Sequence, residues 1–293
     1  MPDRFHPMSR RAVLATLATA AGIFAADKIR AASATGPLGR LKQSVCRWPY
    51  ARTPLPDLCR RANQIGLAGI DLLFPDEWSI AHDAGLTVSM GYPSRREKFI
   101  ETGFNDPANH ALLLKELEKA LPLAARAQVP NLIAMFGNRI PGIDDDAAVA
   151  NCVTGLARIA PFAAEQGVTI CLELLNSRVD HPGYQGDHTS FGVAVMQAVN
   201  SSRVKLLYDI YHMQIMEGDV IRTIRDNIGW IGHFHTGGVP GRHEINDSQE
   251  LNYRAIVTAV ADLRYTGYVA HEFVPTRRDP YVSLAEAFRL CTV

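Results

Sequence analysis

The amino-acid sequence predicts a single-domain (β/α)8 barrel in the α/β class. Three observations lead there. From residue 41 to residue 293, eight short apolar runs alternate with helix-period segments. That span matches the roughly 250 residues usual for such a barrel, and no linker-like stretch interrupts it. The last four runs also end in Asp, Glu or His, residue types that barrels gather at the C-terminal ends of their strands.

The predicted strands are 43–47, 69–73, 86–91, 131–136, 168–175, 204–209, 230–236 and 268–273. Each is short and rich in Val, Ile or Leu, as parallel strands covered on both faces should be. The first is followed by Arg47-Trp48-Pro49-Tyr50. An open, doubly wound sheet would usually carry a glycine-rich phosphate turn there, so the closed barrel is favoured. Between strands, residues 106–128 read as a helix opened by Asn105-Asp106-Pro107, with proline in the first turn. Residues 146–166 read as another, with Asp144-Asp145-Asp146 as its cap and its favourable dipole charge, not as a metal site.

Residues 1–34 are expected to be an address label. Ser9-Arg10-Arg11 is a twin-arginine sequence, and an uncharged, Ala-rich run follows over 13–26. Fourteen residues fall short of a ~30 Å hydrocarbon core, which argues against a stable membrane anchor. The run shows no polar face, and Ala32-Ser33-Ala34 suits an A-x-A cleavage site. The segment resembles a Tat export signal, which implies a periplasmic or exported protein. Its removal takes five basic and two acidic residues, leaving 25 and 28 and a net charge of about −3. Nucleic-acid binders usually carry a basic excess, so no nucleic-acid partner is expected. The five cysteines are widely spaced and odd in number, so neither a disulfide framework nor a catalytic thiol is assigned. A homo-oligomer is left open.

The chemistry collects late in the chain. Strand five carries Glu173 within Cys171-Leu172-Glu173-Leu174-Leu175, and strand six ends at Tyr208-Asp209. Strand seven contains His233-Phe234-His235, whose histidines point the same way, and strand eight reads Ala270-His271-Glu272-Phe273. A carboxylate among apolar neighbours is costly unless it is paired or holds a cation. Four consecutive strands each placing such a group at one end predict a cage of Glu173, Asp209, His235 and Glu272. Three carboxylates with one imidazole suit Mg²⁺, Mn²⁺ or Co²⁺, and suit Zn²⁺ less well without thiolates. His233 lies deeper and reads as a hydrogen-bonding support for the ligands.

Several motifs together resemble hydroxypyruvate isomerase, of the xylose isomerase-like barrel superfamily. They are Asp209-Ile210-Tyr211-His212-Met213-Gln214, Gly232-His233-Phe234-His235 followed by Val239-Pro240-Gly241-Arg242-His243-Glu244, and His271-Glu272-Phe273 with Pro275. Gly103-Phe104-Asn105-Asp106-Pro107, Phe136-Gly137-Asn138-Arg139 and Glu250-Leu251-Asn252-Tyr253 share in it. The resemblance covers essentially everything after residue 41. It implies a divalent metal on Glu173, Asp209, His235 and Glu272, the two glutamates as acid/base pair, and substrate contacts from His212 and Arg242. Glu244 is a further candidate substrate contact or a partner for Arg242. His235 departs from the glutamine common in hydroxypyruvate isomerase and matches the sugar epimerase relatives.

Such a site suits proton transfer beside a carbonyl, with a Lewis-acidic metal polarising the carbonyl and its neighbouring hydroxyl. One glutamate would remove the α-proton and the other return a proton to the next carbon or the opposite face. The outcomes are aldose–ketose isomerisation and epimerisation, and a leaving group β to the carbonyl would make a keto-glycoside lyase. The expected partner is a small sugar or a hydroxy-keto acid; a non-catalytic sugar-binding barrel is the alternative outside enzymology. Trp48, Tyr50, Phe74 and Trp78 are candidate walls of a sugar pocket, equally suited to the core. A Schiff-base aldolase is disfavoured, because Lys205 falls at the start of strand six. An apurinic endonuclease is disfavoured too, since strands two to four end Leu73-Phe74-Pro75, Met90-Gly91-Tyr92 and Phe136-Gly137-Asn138, without further histidines.

Overall fold

Eight parallel strands close into a barrel in chain order in a computed structural model that describes residues 39–293. The strands are β1 (Lys42–Cys46), β2 (Gly69–Leu73), β3 (Thr87–Gly91), β4 (Asn131–Met135), β5 (Thr169–Glu173), β6 (Val204–Asp209), β7 (Ile231–Thr236) and β8 (Tyr268–His271). Around them lie α1 (Leu55–Ile65), α2 (Trp78–Asp83), α3 (His110–Arg126), α4 (Asp145–Gln166) and α5 (Thr189–Val199). Four more helices complete the ring: α6 (Ile210–Met216), α7 (Val220–Asn227), α8 (Tyr253–Asp262) and α9 (Pro280–Cys291). The expected fold is therefore correct. The twin-arginine stretch and the predicted cleavage site lie outside the described residues.

Strand ends differ modestly from expectation. The apolar run 168–175 pairs only from Thr169 to Glu173, and 268–273 only to His271, because the chain stays buried after it leaves the sheet. The helix expected from 106 opens instead with a 3₁₀ turn over Pro107–Asn109, where Asp106 accepts from the Ala108 amide, and α3 proper starts at His110. Asp144 caps α4 as expected, its carboxylate accepting from Ala147 N.

The core fills the barrel and the layer between strands and helices, from Val45, Ile70 and Val88 round to Leu206, Phe234 and Val269, all essentially unexposed. All five cysteines are buried and free. One close approach shapes the face that carries the site. A Cβ on Gly103 would lie 2.0 Å from the Phe136 carbonyl carbon, so only glycine lets the loop after β3 press against the end of β4. Asn105 then donates through Nδ2 to the Asn138 carbonyl at 2.6 Å and locks the two loops together.

Candidate active site at the C-terminal end of the barrel

Each expected ligand arrives from its own strand. Glu173 ends β5 beside Leu207 of β6, and Asp209 ends β6 beside His235 of β7. Glu272 sits one residue beyond β8, with its amide bonded to the Thr236 carbonyl. One ligand atom from each of Glu173, Asp209, His235 and Glu272 lies within 4.8 Å of the others, and all four residues are buried. His235 Nδ1 lies 2.7 Å from Glu272 Oε2 and 3.3 Å from Glu173 Oε1. Neither contact runs along a hydrogen-bonding direction, so His235 Nδ1 and Glu173 Oε1 remain buried without a partner. Orphaned buried polar atoms carry a desolvation cost that a bound cation would offset. The donor set and its spacing fit a divalent cation.

Arg242 brings a guanidinium to this cluster of carboxylates. Its Nη2 lies 2.6 Å from Glu272 Oε2 and 3.2 Å from Asp209 Oδ2, with the guanidinium near the Trp48 and Tyr211 rings. The residue adopts φ 59°, a left-handed conformation that non-glycine residues seldom hold, so tertiary contacts must fix it. Its backbone supplies two of them: Arg242 N donates to Gly238 O and Val274 N donates to Arg242 O.

The electrostatics follow from burial. Desolvation pushes Glu173 above the ordinary carboxylate range and Asp209 up to about 8. Burial would raise Glu272 as well, but His235 and Arg242 outweigh it and hold that carboxyl well below the usual range. Burial, reinforced by Arg242, keeps His212 neutral by lowering its pKa well below the ordinary value.

His212 stands at the first turn of α6, three residues after the capping Asp209. Its Nδ1 accepts from Asn176 N at 3.1 Å, which leaves the proton on Nε2. That Nε2 is buried without a hydrogen-bond partner, 3.5 Å from Asp209 Oδ2. His212 therefore adjoins the ligand cluster as a free donor. Glu244 requires a correction. It does not pair with Arg242; its oxygens accept from Thr276 N, Thr276 Oγ1 and Ser283 Oγ. Those contacts satisfy the carboxylate and lower its pKa to about 2, so Glu244 ties the β7 loop to the chain after β8.

A cavity of about 400 Å³ adjoins the cluster, with Glu173, Glu272, Arg242 and His181 among its polar lining residues. Its walls are largely apolar, among them Trp48, Phe74, Tyr92, Phe99 and Met135. Of the expected aromatic walls, Trp48 and Phe74 line it, whereas Tyr50 and Trp78 belong to the core. Trp48 also donates from Nε1 to Glu272 Oε1 at 2.7 Å.

Three residues escaped the sequence reading. Asp71 of β2 lies inside the barrel, with Oδ2 2.9 Å from His233 Nε2 and Oδ1 3.1 Å from His235 Nε2. It stands in Gly69-Ile70-Asp71-Leu72-Leu73, the same carboxylate-in-an-apolar-run signal that exposed Glu173. Tyr184 and Asn176, in the loop after β5, buttress Glu173 and His212, and nothing local in the sequence marks them.

A closed barrel with acid and imidazole groups converging at its C-terminal end has the donors a cation could use, and sequence comparison narrows the class. The chain belongs to the xylose isomerase-like TIM barrel family, whose signature matches residues 59–291. It is 39% identical over 137 residues to 2-oxo-tetronate isomerase of Cupriavidus necator, covering 45% of this chain and about half (52%) of that protein. It is 29% identical over 253 residues to the putative hydroxypyruvate isomerase of Homo sapiens, covering 85% of this chain and 83% of the relative. Over 205 residues it is 29% identical to D-psicose 3-epimerase of Agrobacterium fabrum, covering 67% and 68%. Among solved structures, AP endonuclease, family 2, from Brucella melitensis superposes with a TM-score of 0.75 at 25% identity, covering 84% of this chain and 98% of that one. The relatives named by sequence are thus isomerases of small keto acids and a sugar epimerase.

Proposed function

We propose that this protein is a divalent-metal-dependent isomerase or epimerase that moves a proton beside a carbonyl on an unphosphorylated keto or aldo sugar or a keto-glycoside. The observation that carries the reading is the convergence of Glu173, Asp209, His235 and Glu272, with two orphaned ligand atoms, beside a cavity of about 400 Å³. A metal held by those four side chains would supply Lewis-acid polarisation of the substrate carbonyl and its neighbouring hydroxyl.

The chain's own groups do the rest. Glu173 and Glu272 both approach His235 Nδ1, at 3.3 and 2.7 Å, and both line the cavity, so one can serve to take the α-proton and the other to return it. Trp48 holds one oxygen of Glu272 and leaves the other facing the site. The Arg242 guanidinium and the His212 Nε2–H offer donors to substrate oxygens. The apolar walls exclude water and give room for more than three carbons. The names of the relatives support the isomerase or epimerase class, and epimerisation, isomerisation and a β-elimination all draw on the same residues.

A second reading is hydroxypyruvate or a related small keto acid, supported by the isomerase relatives and by Arg242, which could pair with a carboxylate. A nuclease reading finds less support, since β2 and β3 lead into Phe74 and Tyr92, and neither they nor Asn138 after β4 offers an imidazole. Residues 1–34 as a Tat signal, with the barrel from 41 to 293 exported through that pathway, belong to the same proposal. It rests on Ser9-Arg10-Arg11 and the apolar run behind it.

Solvent deuterium wash-in at the carbon α to the carbonyl, followed by NMR, tests the function across hydroxypyruvate, free ketoses and 3-keto-glycosides. The purified protein is first assayed for about one equivalent of divalent metal. Metal-dependent exchange into a ketose or keto-glycoside is expected. Exchange with hydroxypyruvate alone overturns the sugar assignment, and exchange with none of them removes the proton-transfer reading.

A further inference from the structure

We infer that Asp71 is a positioning residue that fixes which nitrogen of His235 faces the ligand cluster, and so sets the affinity of that cluster for a divalent cation. The inference rests on the metal reading above and concerns a residue that does not itself line the cavity. Asp71 is wholly buried inside the barrel, on β2, three strands round from β7 through β8 and β1. Its Oδ1 accepts from His235 Nε2 at 3.1 Å, and its Oδ2 lies 2.9 Å from His233 Nε2. In the neutral imidazole that a metal requires, a hydrogen on Nε2 leaves the lone pair on Nδ1, the atom that meets Glu173 and Glu272.

The carboxylate is itself held on the side away from His235. Ser89 donates from Oγ to Asp71 Oδ2 at 2.5 Å, and that hydroxyl lies 2.8 Å from Ser44 Oγ. Two inward serines thus face the two inward histidines across one carboxylate. The backbone is arranged to the same end. Pairing of β2 with β3 slips on both sides of Asp71, and the next residue, Leu72, takes φ 59°. A bulge beside a buried carboxylate re-aims that side chain, and its cost is tolerated when the surroundings demand the position. A glutamine at 235 would have no second ring nitrogen for Asp71 to hold. The Asp71 contact is therefore specific to histidine at that position.

The test is a double-mutant cycle read by metal binding, not by turnover. Mn²⁺ affinity is titrated calorimetrically for the full chain, D71N, H235Q and the double variant. We expect D71N to weaken binding by about 10–100-fold with His235 present, the usual cost of losing a carboxylate behind a metal-ligating imidazole. In the H235Q background the same change should cost less than about threefold, because no imidazole remains to orient. A second measurement needs no Asp71 variant and stands if D71N fails to fold. Long-range ¹H–¹⁵N spectra of the Mg²⁺-loaded wild type, with His235 assigned from H235Q, should show the proton on Nε2. A proton on Nδ1, unchanged affinity in a folded D71N, or equal losses in both backgrounds overturns the inference. Wild-type protein that binds no Mn²⁺ and no Mg²⁺ removes the metal reading itself, a different result from wild type and D71N binding equally well.

Discussion

Replacing Tyr184 with phenylalanine removes one oxygen and should cost far more than a surface hydroxyl. The Tyr184 side chain is fully buried, and its Oη accepts from Phe136 N and donates to Glu173 O, each at 2.9 Å. One hydroxyl therefore bridges the end of β4 to the end of β5 at the residue that supplies a cage carboxylate. Phenylalanine fills the same space but leaves a backbone N–H and a carbonyl buried without partners, each costing about 1–3 kcal/mol. Relaxation of the loop should hold the sum near the lower end, about 2–4 kcal/mol. For a domain of this size that lowers Tm by roughly 4–16 °C. Urea unfolding followed by tryptophan fluorescence, with the m-value checked against wild type, measures the loss. A Y184F protein within about 0.5 kcal/mol of wild type at an unchanged m-value would refute the bridge, since that is the scatter expected of neutral substitutions. Mn²⁺ affinity in the same variant reports whether the loosened strand end also displaces Glu173; a folded Y184F should bind more weakly than wild type.

Three further outcomes are expected. E173Q and E272Q should each lower turnover by roughly 10²–10⁴ at saturating Mn²⁺, the usual contribution of general acid–base help, and full recovery at high metal would leave that glutamate as a ligand only. R242M should destabilise metal-free protein by about 3–5 kcal/mol, because it strips the counter-charge from buried carboxylates. Urea unfolding with EDTA and then with Mn²⁺ checks this: the loss should shrink with metal, and equal losses would mean that Arg242 matters for packing alone. Changing Arg10 and Arg11 together to lysine should trap the uncleaved chain in the cytoplasm, read by fractionation and mass spectrometry; an unchanged yield of mature protein starting near residue 35 would count against export.

The barrel was legible because strands buried on both faces must be apolar, and eight such runs at regular spacing leave few other architectures. Their ends were less legible, since apolarity continues where the chain stays buried outside the sheet, as at Leu174 and Phe273. The cage was readable for the complementary reason: Glu173 and Asp209 stand where apolar residues would pack without cost. Asp71 satisfied that rule equally well. It was missed because attention to strand ends excludes a residue in mid-strand, and the irregularity at Leu72 that aims it is a tertiary event. Glu244 failed the other way. Its place two residues after Arg242 suggested a pair, whereas its partners Thr276 and Ser283 stand 32 and 39 residues downstream.

The polar residues of the site share one construction: one atom anchored from outside the cluster and another turned into it. Asp209 uses Oδ1 to accept from the amides of Tyr211 and His212 at the head of α6, leaving Oδ2 toward Arg242. Glu272 gives Oε1 to the Trp48 indole and turns Oε2 inward, and His212 gives Nδ1 to the Asn176 amide and keeps Nε2 free. His235 gives Nε2 to Asp71 and presents Nδ1, while Glu173 is anchored through its carbonyl by Tyr184 and has Oε1 unpartnered. The anchors come from the loop after β1, from β2, from the loop after β5, which supplies both Asn176 and Tyr184, and from the head of α6, so the cage is held from several sides. Groups fixed in this way lose little further freedom when a cation or substrate arrives, which is how a preorganised site gains affinity and rate. The cost falls on the metal-free fold, which must hold buried carboxylates against only the Arg242 guanidinium and the His235 ring. If the cage holds a cation as proposed, stability should depend on it: the Tm should rise on adding Mn²⁺ and rise less in E173Q and E272Q.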